Sequence, residues 1–358
     1  MRNHLLRTIR EAGQEIDEAQ FPDGSRLLLV PHGGRVLGLF GPREDENFFW
    51  TNPDLDDVAS ARRLFESAGW HNLGGDRTWL APEVDFFLPN YPKLDAYAQP
   101  RDLDAGTYSV ERKSGAFTLR NEVRASLSRS KIDLTVEIRK EIGPAPDPLR
   151  CERHPAIPGD LEYAGYTLRT SVKILEHRGT GEAWVGGWSL LQLPHGGTLV
   201  VPTYGPAAPL LCFGKLNPKD LVLGERMLLW RMAASGEHKM AIRAIATTGR
   251  AGYLHQTRNA WSLIVRNFGV NPSGEYVDVP WGDPDDLGYA LQACNVKSAL
   301  GAFSELEHHA PAVKVGDGRP CEDVSQVWAY RGGIESVRSV AERLLGPLPG
   351  AIGSSWSW

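Results

Sequence analysis

The side chains best suited to chemistry lie close together near the C-terminal end, in the segment Phe303-Ser304-Glu305-Leu306-Glu307-His308-His309-Ala310-Pro311. If this segment is a strand, Glu305, Glu307 and His309 share one face, because successive side chains alternate between faces. Carboxylates beside an imidazole suit general acid–base catalysis. They also form a possible O,O,N ligand set for a metal, or an ordinary solvated sheet face. We predict that Glu307, Glu305 and His309 are catalytic, and that neither metal nor cofactor is involved.

A second polar cluster lies early in the chain, in Trp70-His71-Asn72-Leu73-Gly74-Gly75-Asp76-Arg77-Thr78-Trp79-Leu80-Ala81-Pro82-Glu83. Sugars bind to surfaces that combine flat aromatic faces with charged or amide partners for their hydroxyl groups. Trp79 supplies such a face and Arg77 a planar array of donors. The alternative is a structural turn with an Arg–Asp pair. We predict a substrate-binding role for Asn72, Arg77, Trp79 and Glu83.

A third candidate segment is Trp188-Ser189-Leu190-Leu191-Gln192-Leu193-Pro194, which places Trp188 and Gln192 on one face of a predicted strand. His195 occupies the following turn, and Lys239 begins another alternating segment. All four side chains are candidates for substrate binding. The alternative for Gln192 and Lys239 is exposure to water.

Several function classes lack support in the sequence. There is no Gly-x-Ser-x-Gly motif, P-loop, strand-associated Gly-x-Gly-x-x-Gly or His-Glu-x-x-His. The net charge of −5, without a basic run, argues against nucleic-acid binding. Four dispersed cysteines indicate free thiols in a reducing cytoplasm. The sequence has no apolar run of about 18 residues, so we predict no membrane span.

Alternating hydrophobicity indicates the elements that must position these residues. Residues 132–139 and 166–174 alternate strictly between apolar and polar side chains, as half-buried strands do. Short runs at 26–30, 35–40, 47–50, 184–193, 198–201, 240–244, 261–265, 289–295 and 302–309 are also predicted strands, and helices are predicted at 2–12, 59–68 and 334–345. We predict an all-β antiparallel sandwich with short peripheral helices. Its units are an N-terminal helix (1–13), one sandwich domain (14–333, with a Pro-rich connection near 143–160), and a C-terminal helix and tail (334–358).

The order of these motifs resembles that of the galactose mutarotase-like superfamily, which includes aldose 1-epimerases and hexose-6-phosphate mutarotases. The similarity runs from Gly33-Gly34-Arg35-Val36-Leu37-Gly38-Leu39 through Asn47-Phe48-Phe49-Trp50-Thr51-Asn52-Pro53 and Gly74-Gly75-Asp76-Arg77 to Leu306-Glu307. The resemblance implies a large β-supersandwich, with Glu307 as general base and Arg77 holding the sugar. The family's mid-chain catalytic His has no counterpart in Trp188–Pro194. His195, His308, His309 and Lys239 are therefore the candidates for the acid.

The resemblance, together with the polar clusters, leads us to predict an aldose 1-epimerase-like isomerase that acts on a free sugar or sugar derivative. We also predict a cytoplasmic monomer or homodimer that binds neither nucleic acid nor a membrane. One alternative is a non-catalytic carbohydrate-binding protein, and another is a lyase or hydrolase of glycosides. Glu305 and Glu307 would lie roughly 6.5–7 Å apart along one strand. Both would approach a glycosidic bond from one side, which disfavours hydrolysis.

Overall fold

The computed structural model describes residues 1–43, 45–113, 115–151 and 159–349. Its α-helices are α1 (Arg2–Glu11), α2 (Val58–Glu66), α3 (Glu83–Phe86) and α4 (Ile334–Leu345). Its strands are β1 (Asp17–Gln20), β2 (Arg26–Val30), β3 (Arg35–Phe40), β4 (Asp76–Ala81), β5 (Ser109–Lys113), β6 (Ala116–Ser126), β7 (Asp133–Pro144), β8 (Glu162–Arg178), β9 (Trp184–Pro194), β10 (Thr198–Pro202), β11 (Leu210–Phe213), β12 (Leu221–Leu223), β13 (Met227–Arg231), β14 (Gly236–Arg243), β15 (Arg250–Gln256), β16 (Trp261–Phe268), β17 (Tyr289–Ser298), β18 (Gly301–His309), β19 (Val313–Lys314) and β20 (Cys321–Gly332).

The strands form two large antiparallel sheets, as predicted. The first sheet has the order β1-β2-β3-β4-β9-β18-β17-β14-β11, with β19 added to β9. The second has the order β12-β13-β10-β15-β16-β20-β8-β7-β6-β5. The polar segments singled out in the sequence fall on β4, β9, β14 and β18, so the sheet order brings them to the middle of one sheet.

One apolar core lies between the two sheets and explains the alternating pattern. Leu191 of β9 and Leu306 of β18 are fully buried and belong to the same hydrophobic cluster as Val136 and Tyr166 of the second sheet. Their chain neighbours on β9 and β18 project to the opposite face of the first sheet. Because one face of this sheet packs into the core, these neighbouring side chains lie outside it on the other face.

The helices cover apolar surface outside this core. Helix α4 packs Val337, Val340 and Leu344 into a cluster with residues of β10, β13, β15 and β16. Helix α1 joins α2 in covering β2 and β3. Asp57 caps α2, its carboxylate accepting bonds of 3.0 Å from the backbone NH groups of Ala59 and Ser60. No helix within the described residues is long and apolar enough to cross a membrane.

One local prediction was wrong. Residues 47–50 do not form a strand, because the Asn47 side chain accepts bonds from the backbone NH groups of Leu39 (3.0 Å) and Phe49 (3.1 Å) and holds the segment as a connection. Strand β7 continues to Pro144, where the predicted Pro-rich connection near 143–160 begins. Residues 152–158 of that connection and the tail from residue 350 lie outside the described residues.

The Gly74-Gly75 pair sets the entry into β4. Both residues have positive φ, +96° and +73°. A Cβ on Gly74 would lie 2.3 Å from the Trp50 carbonyl oxygen, and one on Gly75 2.3 Å from that of Val36. Only glycine fits this conformation and this close approach. The turn therefore places Arg77 in register with the central strand β9.

Candidate functional site

A cavity of about 380 Å³ opens on the face of the first sheet that is turned away from the core. The register of neighbouring strands brings its lining residues together: Glu305 lies opposite Cys294 of β17, and Glu307 lies opposite Leu190 of β9. Leu190 in turn lies opposite Arg77 of β4. The cavity is lined by Trp70, Arg77, Trp79, Glu83, Tyr97, Gln99, Trp188, Leu190, Phe213, Glu237, Lys239, Trp281, Cys294, Val296, Leu300, Phe303, Glu305 and Glu307.

Arg77 and Glu305 form a buried ion pair on the cavity wall. Arg77 Nη2 lies 2.9 Å from Glu305 Oε1. The guanidinium also lies 4.3 Å from the centre of the Trp79 ring, and this cation–π contact fixes its plane. Its Nε and Nη1 atoms have no hydrogen-bond partner among the described residues. Arg77 is thus held by a carboxylate and a ring.

Asp104 fixes the aromatic wall from behind. Its Oδ2 atom accepts hydrogen bonds of 3.0 Å from the indole nitrogens of both Trp70 and Trp79. The same carboxylate pairs with the buried guanidinium of Arg35 at 2.8 Å. Buried polar groups arranged in this way hold their side chains in one orientation. The two indole rings are therefore held in fixed positions on the cavity wall.

Glu307 is the carboxylate best placed for proton transfer. Its Oε2 accepts a 2.9 Å bond from Trp188 Nε1 and lies 3.3 Å from Lys239 Nζ. Its Oε1 has no partner among the described residues, and the side chain is 1% exposed. Burial raises the pKa of Glu307 to about 7, although Lys239 opposes this effect. A base with a pKa near neutral pH combines ionisation with useful basicity.

Lys239 is surrounded by acidic groups. Its Nζ lies 3.3 Å from Glu307 Oε2, 3.8 Å from Glu83 Oε2 and 4.4 Å from the centre of the Trp188 ring. Burial lowers the pKa of Lys239, but the Glu307, Glu83 and Asp278 carboxylates outweigh it and raise the pKa well above its ordinary value. Lys239 therefore remains an ammonium ion that donates hydrogen bonds.

Glu83 links three segments at the cavity wall: its own short helix α3, the loop that carries Tyr97 and the loop that carries Asp278 and Trp281. It begins α3, and its carboxylate accepts bonds from Tyr97 Oη (2.8 Å) and Trp281 Nε1 (2.9 Å). Its backbone NH donates to Asp278 Oδ1 at 2.7 Å. The Tyr97 and Trp281 rings stack at 5.7 Å. Glu83 thus anchors the aromatic mouth of the cavity as well as contacting Lys239.

Four residues predicted for the site do not line the cavity. Gln192 Nε2 donates to Asn72 Oδ1 at 3.0 Å, and this buried pair ties β9 to the segment that precedes β4. His195 lies in the turn after β9, with Nε2 3.3 Å from the Ala234 carbonyl oxygen. His309 stacks on Trp188 with ring centres 5.4 Å apart.

Burial lowers the pKa of His309 well below its ordinary value, which makes it a neutral imidazole at pH 7 and a poor proton donor. Among the candidate acids predicted from the sequence, Lys239 is the one that lines the cavity. No histidine is among the described residues that line it.

The residues best arranged to hold a metal ion differ from the set considered from the sequence. Ligand atoms of Cys294, Glu305 and Glu307 lie within 4.8 Å of one another, with Cys294 in place of His309. Burial raises the pKa of the Cys294 thiol well above its ordinary value, which disfavours the thiolate that a metal needs. Arg77 and Lys239 already neutralise the two carboxylates. This arrangement suits an organic ligand better than a metal ion.

Several lining residues were missed in the sequence, among them Tyr97, Phe213, Trp281 and Cys294. Each comes from a loop, an edge strand or an apolar position without a motif around it. The only signal was composition, since Trp281 follows a Pro in a Gly- and Asp-rich segment. Such loops contribute to sites because a rigid scaffold positions them.

Comparison with solved structures identifies the class of fold. A galactose mutarotase-like protein from Lactobacillus casei ATCC 334 matches with 11% identity and a TM-score of 0.50, over 88% of this chain and 100% of the other. A protein from Escherichia coli K12, provisionally named an aldose 1-epimerase, matches with 11% identity and a TM-score of 0.54, over 88% and 99%. A Synechocystis sp. PCC 6803 protein matches with 14% identity and a TM-score of 0.54, over 88% and 96%.

The chain therefore has the galactose mutarotase-like fold, and the resemblance inferred from its motifs is confirmed at the level of the fold. At these identities the likeness does not extend to an activity. No protein-family model and no curated protein sequence matches the chain. Its function has to be argued from the cavity itself.

Proposed function

We propose that the cavity binds a free sugar or sugar derivative and interconverts its anomers, with Glu307 as the general base. The observation that carries this proposal is the buried Glu307 carboxylate, which has one unpartnered oxygen and a pKa of about 7. Indole faces beside it suit the C–H faces of a pyranose, and Arg77 and Lys239 suit its hydroxyl groups. A cavity of about 380 Å³ has the size of a small-molecule site.

The proposed reaction is a proton transfer at two oxygens. Glu307 removes the proton of the anomeric hydroxyl while the bond between the anomeric carbon and the ring oxygen breaks. The electron pair of that bond goes to the ring oxygen, which takes a proton from Lys239 Nζ, so Glu307 is protonated and Lys239 is a neutral amine in the open-chain state. Rotation about the next carbon–carbon bond presents the other face of the aldehyde, and the reverse transfers close the ring. No redox step or co-substrate is required.

The test is anomer exchange across free sugars, measured by NMR magnetisation transfer. We expect faster exchange for at least one of glucose, galactose, mannose and their amino and phosphorylated derivatives. Glu307→Gln should reduce the rate by at least about 100-fold, because general-base catalysis contributes factors of that size. Glu322→Gln, an exposed carboxylate on the second sheet, is the matched control. A normal rate in Glu307→Gln would overturn the assignment.

A second candidate function is carbohydrate binding without catalysis. It is favoured by the lack of a histidine among the described lining residues and by the ion pair that already engages Glu307. Calorimetry distinguishes the two candidates. Binding of a sugar whose anomer exchange stays at the uncatalysed rate would support the binding protein.

A further inference from the structure

We propose that the cavity selects sugars that carry a protonated amine over neutral and phosphorylated ones. This inference rests on the proposed function, since it assumes that the cavity is the sugar site, and it adds the charge of the substrate. Two cavities meet there. A neighbouring one of about 440 Å³ shares Glu83, Phe213, Glu237, Lys239 and Trp281 with the first.

The charges around the joined cavities are unequal. Five carboxylates line them, from Glu83, Glu237, Asp278, Glu305 and Glu307, against the two cations Arg77 and Lys239. Both cations are already paired, Arg77 with Glu305, and Lys239 with Glu307 and Glu83. The excess negative charge favours a cationic ligand and opposes an anionic one.

One carboxylate is left for such a ligand. Glu237 is exposed at the junction of the two cavities, and no ion pair or hydrogen bond of its side chain occurs within the described ranges. An ammonium group bound beside Glu237 would neutralise charge that the protein leaves uncompensated, while Glu307 keeps its free oxygen for the anomeric hydroxyl.

The aromatic side chains of the junction suit the same ligand. Phe213 and Trp281 line both cavities beside Glu237, and neither ring lies under Arg77 or Lys239, which stack on Trp79 and Trp188. Aromatic faces next to carboxylates attract ammonium groups through the ring quadrupole. A phosphate, by contrast, would lie among five carboxylates, and the two cations of the joined cavities are already paired with three of them.

The test is calorimetric titration of the full chain at about pH 6.5, below the ordinary pKa of an α-amino group. Glucose, galactose and mannose are each compared as the free sugar, the 2-amino sugar, its N-acetyl derivative and the 6-phosphate. We expect the protonated amine to bind about tenfold more tightly than the matched neutral forms, from the attraction of one unit charge to one unpaired carboxylate. Raising the ionic strength from about 0.05 to about 0.5 M should shrink this ratio.

Glu237→Gln should reduce the preference for the amine severalfold, whereas Glu322→Gln, exposed on the other sheet, should leave the ratio of affinities unchanged. Equal binding of free and amino sugars, or tighter binding of the phosphate, would overturn this inference and leave the sugar site intact. Binding of none of these sugars would overturn the proposed function and the inference together.

Discussion

The most direct test of the site is how the stability of Glu307→Gln depends on pH. The pKa of Glu307 is raised from 4.5 to about 7 by burial, with Lys239 opposing the change. Between these values the folded state retains a proton that the unfolded state releases. The free energy of unfolding of the wild type therefore falls as pH rises from about 4.5 to about 7. The difference in pKa corresponds to about 3 kcal/mol.

Glutamine keeps the shape of the side chain and cannot ionise. The free energy of unfolding of the variant therefore does not show this fall with rising pH. Relative to the wild type, Glu307→Gln should gain about 3 kcal/mol between pH values of about 4.5 and 8. Lys239 retains Glu83 as a partner in the variant, at 3.8 Å. The measurement is urea denaturation at several pH values, with Glu322→Gln as an exposed control. A difference between variant and wild type that is the same at both ends of this range would refute the burial argument.

Three other changes probe the rest of the site. Arg77→Met leaves the Glu305 carboxylate buried without its partner, so it should lower the free energy of unfolding by about 3–5 kcal/mol in urea denaturation and weaken sugar binding in calorimetry. Trp188→Phe removes a hydrogen bond to the Glu307 carboxylate, so the midpoint of the pH–rate profile for anomer exchange should rise by about one unit. Gly75→Ala adds a Cβ 2.3 Å from a carbonyl oxygen at a positive φ, so thermal unfolding should show a loss of at least about 2 kcal/mol.

Matched controls separate these effects from general disruption. Arg139→Met, in an exposed pair with Glu141, should cost less than about 1 kcal/mol. Trp328→Phe removes an indole nitrogen without a partner among the described residues and should leave the pH–rate midpoint in place. Gly69→Ala meets no atom within 4 Å. Three outcomes would contradict the corresponding interpretations. They are a loss of about 3 kcal/mol or more in the free energy of unfolding of Arg139→Met, a shifted pH–rate midpoint in Trp328→Phe, and an unchanged thermal stability of Gly75→Ala.

Much of the fold was predictable because the inner faces of the sheets are apolar. Strands such as β7 alternate residue by residue between buried and more exposed positions, and the sequence shows that period directly. The same argument placed Glu305, Glu307 and His309 on one face of β18. The 47–50 segment was mispredicted because the Asn47 side chain accepts a hydrogen bond from the Leu39 backbone NH, which competes with strand pairing, and periodicity does not register such bonds.

Local pattern determined which residue types were available: a carboxylate pair on one strand, an Arg and a Trp after a Gly-Gly turn, and a Lys at the start of another strand. Only the tertiary structure decided which of them meet. Arg77 and Glu305 are 228 residues apart in the chain, and their contact depends on the order β4-β9-β18. That same order turned Gln192 towards Asn72 and buried His309 beside Trp188. It also brought Tyr97 and Trp281 to Glu83, since the register and packing of distant segments are set by the whole core rather than by neighbours in sequence.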